Sequence, residues 1–213
     1  MPNNYRIYHI TQVDNLPNII RADMIWSDRR VQEQSLNKTV IGLDGLKQRR
    51  LNEIEVSCHP GTNVGDYVPF YFCPRSVMLF VIHKRNAELA YQGGQSRIIH
   101  LVSSVNSAIK SSGDKKWAFT DGNAGAYSIR GRFRSDLNQI DSFVDWESIR
   151  KNDWRDPVAK ERKQAEFLVH EFVPWCAIEG IGVLNSSIAI EVDQILSTAT
   201  HRPTVKVKPD WYY

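Results

Sequence analysis

The most strand-like part of the chain reads YVPFYF at residues 67–72, CPRS at 73–76 and VMLFVI at 77–82. Aromatic and β-branched residues dominate the first run, and such residues favour a strand. The second run is short and continuously apolar, a pattern that a buried strand and a buried helix share. We therefore predict two adjoining buried segments, the first a strand and the second either a strand or a helix.

Short elements extend outward from this region. Residues 5–10 alternate between apolar and polar side chains, which predicts a first strand ending at HIT (9–11), followed by a helix through 15–21. Residues 27–50 are polar and predict a turn and a short helix. Further strand and helix pieces are predicted at 98–102, 105–110, 164–169, 178–183, 187–192 and 204–208. No linker or repeat divides the sequence, so we predict one α+β domain over residues 1–213.

Composition limits the class of protein. A chain of 213 residues with 42% hydrophobic and 24% charged residues is long enough to bury a core without disulfides or metal ions. The three cysteines, Cys58, Cys73 and Cys176, are scattered, and we interpret them as reduced thiols. No apolar run reaches the roughly 20 residues of a membrane span, and residues 1–6 lack an apolar signal-peptide core. We therefore expect a cytoplasmic protein that does not contact a membrane.

The net charge of +3 is unevenly distributed. Residues 110–134 carry six basic side chains against two acidic ones, and residues 150–163 carry six against three. Residues 110–134 are also rich in Gly, Ser, Asn and Asp, which predicts a long loop. Such a concentration of positive charge would attract a polyanion. A solvated basic face without a partner is the alternative.

Glu166 is the first candidate for chemistry. In a strand, Gln164 and Glu166 project to one face, while Ala165, Phe167 and Val169 project to the other. The apolar set would pack in the core and leave the carboxylate facing a cleft. A glutamate on an edge strand, paired with a lysine, is the alternative interpretation.

Other residues are weaker candidates when each is taken alone. His9 ends the first predicted strand and is either a ligand-binding or a structural histidine. The KQRR cluster at 47–50 would grip a pyrophosphate or form a solvated helix face. The chain lacks the Gly-x-Gly-x-x-Gly, P-loop, His-Glu-x-x-His and Gly-x-Ser-x-Gly motifs. Hydride transfer, P-loop hydrolysis, zinc hydrolysis and serine esterase chemistry are therefore disfavoured.

Taken together, several stretches resemble the DarT family of bacterial DNA ADP-ribosyltransferase toxins, of the thymidine type. They are YHIT (8–11), KQRR (47–50), HPG (59–61), the block 64–79, TDGNA (120–124) and KQAEFLV (163–169). The resemblance implies the α+β fold of poly(ADP-ribose) polymerase catalytic domains, in which a split central mixed or antiparallel β-sheet with flanking helices clasps NAD.

The family resemblance also implies an activity. A DarT-like enzyme moves ADP-ribose from NAD onto a base of single-stranded DNA, typically thymidine at N3 within a short sequence context, and releases nicotinamide. NAD is the co-substrate and no metal is expected. The implied partner is a macrodomain antitoxin, DarG, that removes the modification. Alternatives are transfer to guanosine in DNA, to RNA or to protein, and a non-catalytic module that binds single-stranded nucleic acid.

The resemblance assigns roles to individual residues. Glu166 matches the catalytic glutamate, and the essential arginine lies within Arg49-Arg50, with Arg49 favoured and Arg50 left open. Residues 117–165 match the segment that recognises the substrate. The expected NAD contacts are His9, Ile10, Thr11, Asn18, Arg49, Arg50 and Tyr71, and the expected DNA contacts are Gln164, Arg130, Arg132, Arg134, Trp117 and Tyr127. Residues 128–134 depart from the family pattern, which leaves the base preference open.

Overall fold

The computed structural model describes residues 4–36 and 39–213. Residues 1–3, part of the segment considered for a signal peptide, and residues 37–38 lie outside the described residues. The strands are β1 (Arg6–Gln12), β2 (Met24–Trp26), β3 (Tyr67–Tyr71), β4 (Ile98–Ser104), β5 (Trp117–Thr120), β6 (Phe133–Arg134), β7 (Glu166–His170), β8 (Phe172–Pro174), β9 (Gly180–Val183) and β10 (Thr204–Val207).

The helices lie between and around these strands. They are α1 (Leu16–Ala22), α2 (Asp28–Glu33), α3 (Asp44–Asn52), α4 (Val77–His83), α5 (Val105–Ser112), α6 (Ile140–Phe143), α7 (Trp146–Arg150), α8 (Pro157–Arg162) and α9 (Ser186–Leu196). Within residues 4–36 and 39–213, no helix combines the length and the apolar character that crossing a membrane requires.

One large sheet organises the fold. Its strand order is β10-β9-β4-β1-β3-β7-β5-β6, and neighbouring strands run antiparallel except for the parallel pair of β9 and β10. Strands β2 and β8 form a separate two-stranded antiparallel sheet. The predicted α+β class is therefore confirmed.

The large sheet is split between β1 and β3. Strand β1 pairs with β4 along its whole length, from Arg6 opposite Ser104 to Gln12 opposite Ile98. Its pairing with β3 has a single register pair, Tyr8 opposite Tyr71. The two halves of the sheet are thus joined at one register position only, and the expected split sheet is confirmed.

Strand β7 lies inside the sheet and carries Glu166 as its first residue. Ala165, Phe167 and Val169 pack into the main hydrophobic core, and Leu168 packs on the opposite face in a second buried cluster. The predicted alternation is confirmed for these residues. Gln164 differs from the prediction, because its N–H closes the turn after α8 by donating to Glu161 O, and β7 begins two residues later.

The structure settles the type of one segment that the sequence left open and differs from the prediction for another. Residues 77–83 form helix α4, whose first turn is capped by the Ser76 hydroxyl accepting from Leu79 N–H at 3.1 Å. Residues 117–120 form strand β5, although they fall in the predicted loop at 110–134. This run is too short to show a period of its own, and pairing with β7 holds it in the sheet.

A buried histidine joins three parts of the core. His100 on β4 is fully buried, and its Nε2 lies 2.9 Å from Pro74 O. Its Nδ1 lies 3.3 Å from the hydroxyl of Tyr212. Burial lowers the pKa of His100 to about 4, so the ring is neutral in the native protein at neutral pH.

This histidine predicts acid-sensitive stability. The unfolded chain binds a proton at His100 below about pH 6.5, whereas the native chain does not until about pH 4. The free energy of unfolding therefore falls as the pH drops through this window, by about 3 kcal/mol from this residue. Urea unfolding of wild type and His100→Gln between pH 7 and pH 4 tests this, and equal pH slopes for the two proteins would contradict it.

Candidate active site

The carboxylate of Glu166 is buried and held by three hydrogen bonds. Its side chain is 2% exposed, and Arg50 grips it with both guanidinium ends, Nη1 to Oε1 at 3.0 Å and Nη2 to Oε2 at 2.9 Å. The backbone N–H of Ala124 donates to Oε1 at 3.0 Å. A bidentate guanidinium is the partner that best compensates a buried carboxylate. The alternative of a glutamate paired with a lysine is not what the structure shows.

Arg50 reaches this position from the last turn of α3. Burial by itself lowers the pKa of Arg50, but the charge and hydrogen bonds of Glu166 outweigh burial and raise the pKa above its ordinary value. A Cβ on Gly125 would lie 2.6 Å from Leu46 Cδ1 and 3.0 Å from Arg50 Cγ. Only glycine therefore lets the turn at 123–126 approach α3 closely enough for Arg50 to pass beside it to Glu166.

The turn that follows β5 forms the other side of the carboxylate site. Thr120 Oγ1 accepts from Glu166 N–H at 3.0 Å and donates to Gly122 O at 2.7 Å. Asn123 Oδ1 accepts from Gly125 N–H at 2.8 Å, which shapes the turn so that Ala124 N–H points at Glu166. The TDGNA motif, quoted above only as part of the resemblance, thus supplies a hydrogen-bond donor to the candidate catalytic residue.

The carboxylate keeps capacity for one more donor. A carboxylate has about four acceptor sites, and Oε1 uses two of them for Arg50 and Ala124. Oε2 uses one for Arg50 among the described contacts. A hydroxyl group of a substrate can therefore donate to Oε2 while Arg50 stays in place.

A groove lies beside this site and has two compartments. The first has a volume of about 370 Å³ and is lined mainly by α1, β2 and α2. The second, of about 130 Å³, is lined by Arg50 and Tyr71 together with residues 40–43, 46 and 47. Both compartments include His9, Thr11 and Trp26, so they meet at β1. The first alone has the size of a small-molecule pocket.

The opening motif lines the junction of the compartments. His9 is 7% exposed and its Nδ1 lies 2.8 Å from Pro69 O, which fixes the ring across the split of the sheet. Thr11 accepts at Oγ1 from Asn15 Nδ2 at 3.0 Å. Ile10 lines the second compartment, and Asn18 lines the first, where its side-chain oxygen accepts from Arg21 Nη1 at 3.2 Å.

Tyr71 lies between the groove and Glu166. It is the register partner of Glu166 across β3 and β7, and its ring lines the second compartment. Burial, and then the charge of Glu166, raise the pKa of the Tyr71 phenol well above its ordinary value. The ring is therefore a neutral apolar wall with a polar edge next to the carboxylate.

The structure separates the two candidate arginines. Arg49 points away from Glu166: its guanidinium carbon lies 4.3 Å from the centroid of the Tyr127 ring, and its Nη1 donates to Gly125 O at 3.4 Å. The guanidinium of Arg130 lies 5.2 Å from the same centroid. Arg49, Tyr127 and Arg130 thus form a surface cluster at the outer side of the turn, and Tyr127 is 51% exposed.

The remaining residues predicted to contact DNA have mixed environments. Arg132 is engaged in ion pairs with Asp121 at 2.7 Å and Glu161 at 2.7 Å, so this guanidinium helps hold the loop together. Arg134 lies 4.6 Å from the Phe143 ring centroid. The Trp117 ring stacks on Phe167 at 5.9 Å and belongs to the sheet face.

Gln164 is used on both sides of its amide. Its Oε1 accepts from Asn123 at 3.0 Å, and its Nε2 donates to Lys160 O at 3.0 Å.

Across residues 4–36 and 39–213, His, Cys, Asp and Glu form no group of three or more that could hold a metal ion.

Sequence reasoning missed two residues of the site. Asn15 is buried and fixes Thr39 through Asn15 Oδ1 and Nδ2, at 2.7 Å and 3.0 Å, beside the first compartment. Asp121 holds Arg132 and Arg162 and so anchors the turn that carries Ala124. Asn15 opens the helix predicted at 15–21, and Asp121 falls in the loop predicted at 110–134, so neither position carried a signal that would have singled it out.

Comparisons with known proteins identify the family to which the chain is similar. The family model described as "DarT: ssDNA thymidine ADP-ribosyltransferase, DarT" matches residues 8–213. A DNA ADP-ribosyl transferase of Thermus sp. strain 2.9 is 40% identical over 210 residues, covering 97% of this chain and 95% of that protein. A DNA ADP-ribosyl transferase-DNA ADP-ribosyl glycohydrolase fusion protein of Thermosipho africanus is 24% identical over 98% of this chain and 49% of the fusion.

Solved structures agree with the sequence comparisons. The Thermus sp. 2.9 DarT in complex with ADP-ribosylated ssDNA has a TM-score of 0.87 and 39% identity, and covers 100% of both chains. The complex of Thermus sp. 2.9 DarT with NAD+ has a TM-score of 0.85 and 37% identity, over 100% of this chain and 99% of that chain. The fold and the site define a DNA ADP-ribosyltransferase that uses NAD as co-substrate.

The chain belongs to the DarT family. The family resemblance drawn from the sequence is confirmed, as is the class of enzyme.

The buried ion pair predicts a difference between the two arginines in stability. Arg50→Met leaves the Glu166 carboxylate buried without its cation, which costs about 3–5 kcal/mol of the free energy of unfolding. Arg49→Met removes a contact with an exposed ring and costs about 1 kcal/mol or less. Urea unfolding measures both, and the Arg50→Met/Glu166→Gln double variant recovers part of the loss. Equal losses in the two single variants would show that the pair does not constrain the fold.

Proposed function

We propose that the chain transfers ADP-ribose from NAD onto N3 of thymidine in single-stranded DNA, as a toxin whose action a macrodomain partner reverses. The observation that carries the proposal is the buried carboxylate of Glu166, which retains an acceptor site on Oε2 and contacts Arg50, a residue that lines the second compartment of the groove. The Thermus structures with NAD+ and with ADP-ribosylated ssDNA support both substrates.

NAD fits the groove in one direction. The bond that breaks joins nicotinamide to its ribose, so this ribose must lie at Glu166, in the second compartment with Arg50 and Tyr71. The adenosine half then extends past His9 and Thr11 into the larger first compartment, where Asn18 lies. The Tyr71 ring offers a face to nicotinamide.

Glu166 stabilises positive charge at the reacting carbon. When the glycosidic bond breaks, its electron pair leaves with nicotinamide and the ribose becomes an oxocarbenium-like cation. A ribose hydroxyl that donates to Oε2 fixes the sugar, and the carboxylate opposes the charge as it develops. In a site poor in water, such an interaction is worth several kcal/mol of transition-state stabilisation.

We assign Arg50, rather than Arg49, as the essential arginine. Its bidentate contact holds both oxygens of Glu166 in one orientation throughout the reaction. Because pairing with Glu166 raises its pKa, Arg50 is not the group that accepts the N3 proton of thymine, and this proton passes to water as the bond between N3 and the ribose carbon forms. Its role is to position and electrically balance the carboxylate.

The acceptor base reaches the site from the loop side. N3 lies on the pairing edge of thymine, so a single strand presents it without the cost of unpairing. Arg130, Arg134 and Tyr127 lie in the 117–165 segment, and they supply cations and an exposed ring for the strand. The Thermosipho fusion joins a transferase to a glycohydrolase, which supports a partner that removes the modification.

Mass spectrometry of modified oligonucleotides tests the function. Wild type, incubated with NAD and single-stranded oligonucleotides that differ only in whether they contain thymidine, adds one ADP-ribosyl group to the thymidine-containing strands and releases nicotinamide. Modification of strands that lack thymidine would contradict thymidine as the acceptor and show that another base is modified.

Glu166→Gln tests the catalytic assignment in the same assay. The amide preserves shape but removes the charge that opposes the oxocarbenium ion, so transfer falls by about 1,000-fold or more. Calorimetry with NAD shows whether the groove is intact. Transfer at a rate close to that of wild type by this variant would remove Glu166 from the mechanism.

Arg130 and Arg134 predict salt-dependent DNA binding. Arg130→Gln and Arg134→Gln each raise the Kd for a thymidine-containing single strand. Each also reduces the slope of log Kd against log salt concentration by about one, the value expected for the loss of one phosphate contact. The matched control is Lys206→Gln, an exposed cation on β10 at the far edge of the sheet. Fluorescence anisotropy measures all three variants. Equal Kd values and salt slopes in all three would rule out this surface as the DNA contact.

A further inference from the structure

A surface of aromatic rings lies beyond the end of the strand pair that carries Glu166. Tyr71 opposite Glu166 is the final register pair of β3 and β7. From this pair, β3 continues into residues 72–76 and then α4, while residues 154–165 lead into β7. These two stretches converge, and they bring side chains from both together with Tyr213 at the surface.

The surface contains three rings, which we call the aromatic cluster: Phe80, Trp154 and Tyr213. The Phe80 centroid lies 5.0 Å from that of Trp154 and 5.1 Å from that of Tyr213. Trp154 and Tyr213 are 6.3 Å apart. All three side chains are half-buried, so each ring retains surface that a ligand can contact.

Three cations lie on these rings, one of them Lys84, whose Nζ is 5.4 Å from the Phe80 centroid. The guanidinium carbon of Arg75 is 4.5 Å from the Tyr213 centroid, and Lys160 Nζ is 5.9 Å from the Trp154 centroid. In the part of the chain that the structure describes, neither Arg75 nor Lys160 forms an ion pair with a carboxylate. In that same part, the buried Nε of Arg75 has no hydrogen-bond partner.

The combination has the chemistry of a site for single-stranded nucleic acid. Bases stack on aromatic rings irrespective of sequence, and Arg and Lys bind the phosphates between them. Several other basic side chains are already committed: Arg132 and Arg162 pair with Asp121, and Arg155 pairs with Asp153. Arg75 and Lys160 are cations without such commitments.

The location fits the acceptor strand. A base held at the ribose beside Glu166 must be followed along the strand by its neighbours, and the aromatic cluster lies off the same end of β3 and β7. Phe80 also shares helix α4 with Met78, which lines the second compartment of the groove. A strand leaving the reacting centre therefore meets this surface.

We propose that the aromatic cluster, with Arg75 and Lys160, forms a subsite that stacks a nucleobase next to the target base and contacts a backbone phosphate. This subsite is additional to the Arg49, Tyr127 and Arg130 cluster and rests on the proposed transfer to single-stranded DNA. The sequence predicted Trp117 and Tyr127 as the aromatic contacts with DNA. The proposed subsite adds Trp154 to them.

Variants of Trp154 and Lys160 test the subsite. Trp154→Leu removes the stacking face and raises the KM for a strand with nucleotides on both sides of the target by about tenfold. Trp154→Phe keeps a ring and recovers most of the affinity. Lys160→Gln raises the KM and flattens its salt dependence, whereas Lys206→Gln does not. The melting temperature and the Kd for NAD are measured for each variant to detect structural damage.

Abasic substitution separates recognition from packing. In wild type, removing the base that stacks on the cluster raises the KM of the strand, and in Trp154→Leu the same removal has no further effect. The proposal is overturned if Trp154→Leu leaves the KM unchanged, or if abasic substitution at each flanking position costs the variant as much as wild type. If wild type modifies no DNA at all, the proposed function fails instead, so the two failures are distinguishable.

Discussion

The bidentate contact between Arg50 and Glu166 is the interaction on which the site depends. A carboxylate that is 2% exposed has lost its contact with water and needs a cation and hydrogen-bond donors in its place, and Arg50 and Ala124 N–H supply them. Satisfying this requirement fixes the position of α3 and the turn after β5. It also leaves Oε2 with an acceptor site, which the proposed mechanism uses for a ribose hydroxyl.

The basic segments of the chain have two distinct uses. The sequence shows an excess of positive charge at 110–134 and 150–163, but not which side chains face solvent. In the structure, Arg132 and Arg162 converge on Asp121, and Lys163 is buried with its Nζ donating to Ile149 O at 2.8 Å. These cations brace residues 117–165, the segment that we propose recognises the substrate. Others, among them Arg130, Arg134 and Lys160, are placed to attract a polyanion.

How much the sequence predicted depends on how strong each local pattern is. The alternation around Glu166 and the strand that carries His9 were both predictable, because burial of one face imposes a period of two. The distinction between Arg49 and Arg50 was not predictable. Consecutive residues on a helix point about 100° apart, and the polar sequence of α3 has no apolar stripe to set its rotation. Contacts distant in sequence, from Glu166 and Gly125, decide which arginine faces inward.

A crystal structure of this chain with a non-hydrolysable NAD analogue tests the central claim most directly. The account predicts that the nicotinamide ribose lies in the second compartment with one hydroxyl donating to Glu166 Oε2, while Arg50 still holds the carboxylate. An analogue bound with that ribose out of hydrogen-bond reach of Glu166, or in a site away from the groove, would contradict it.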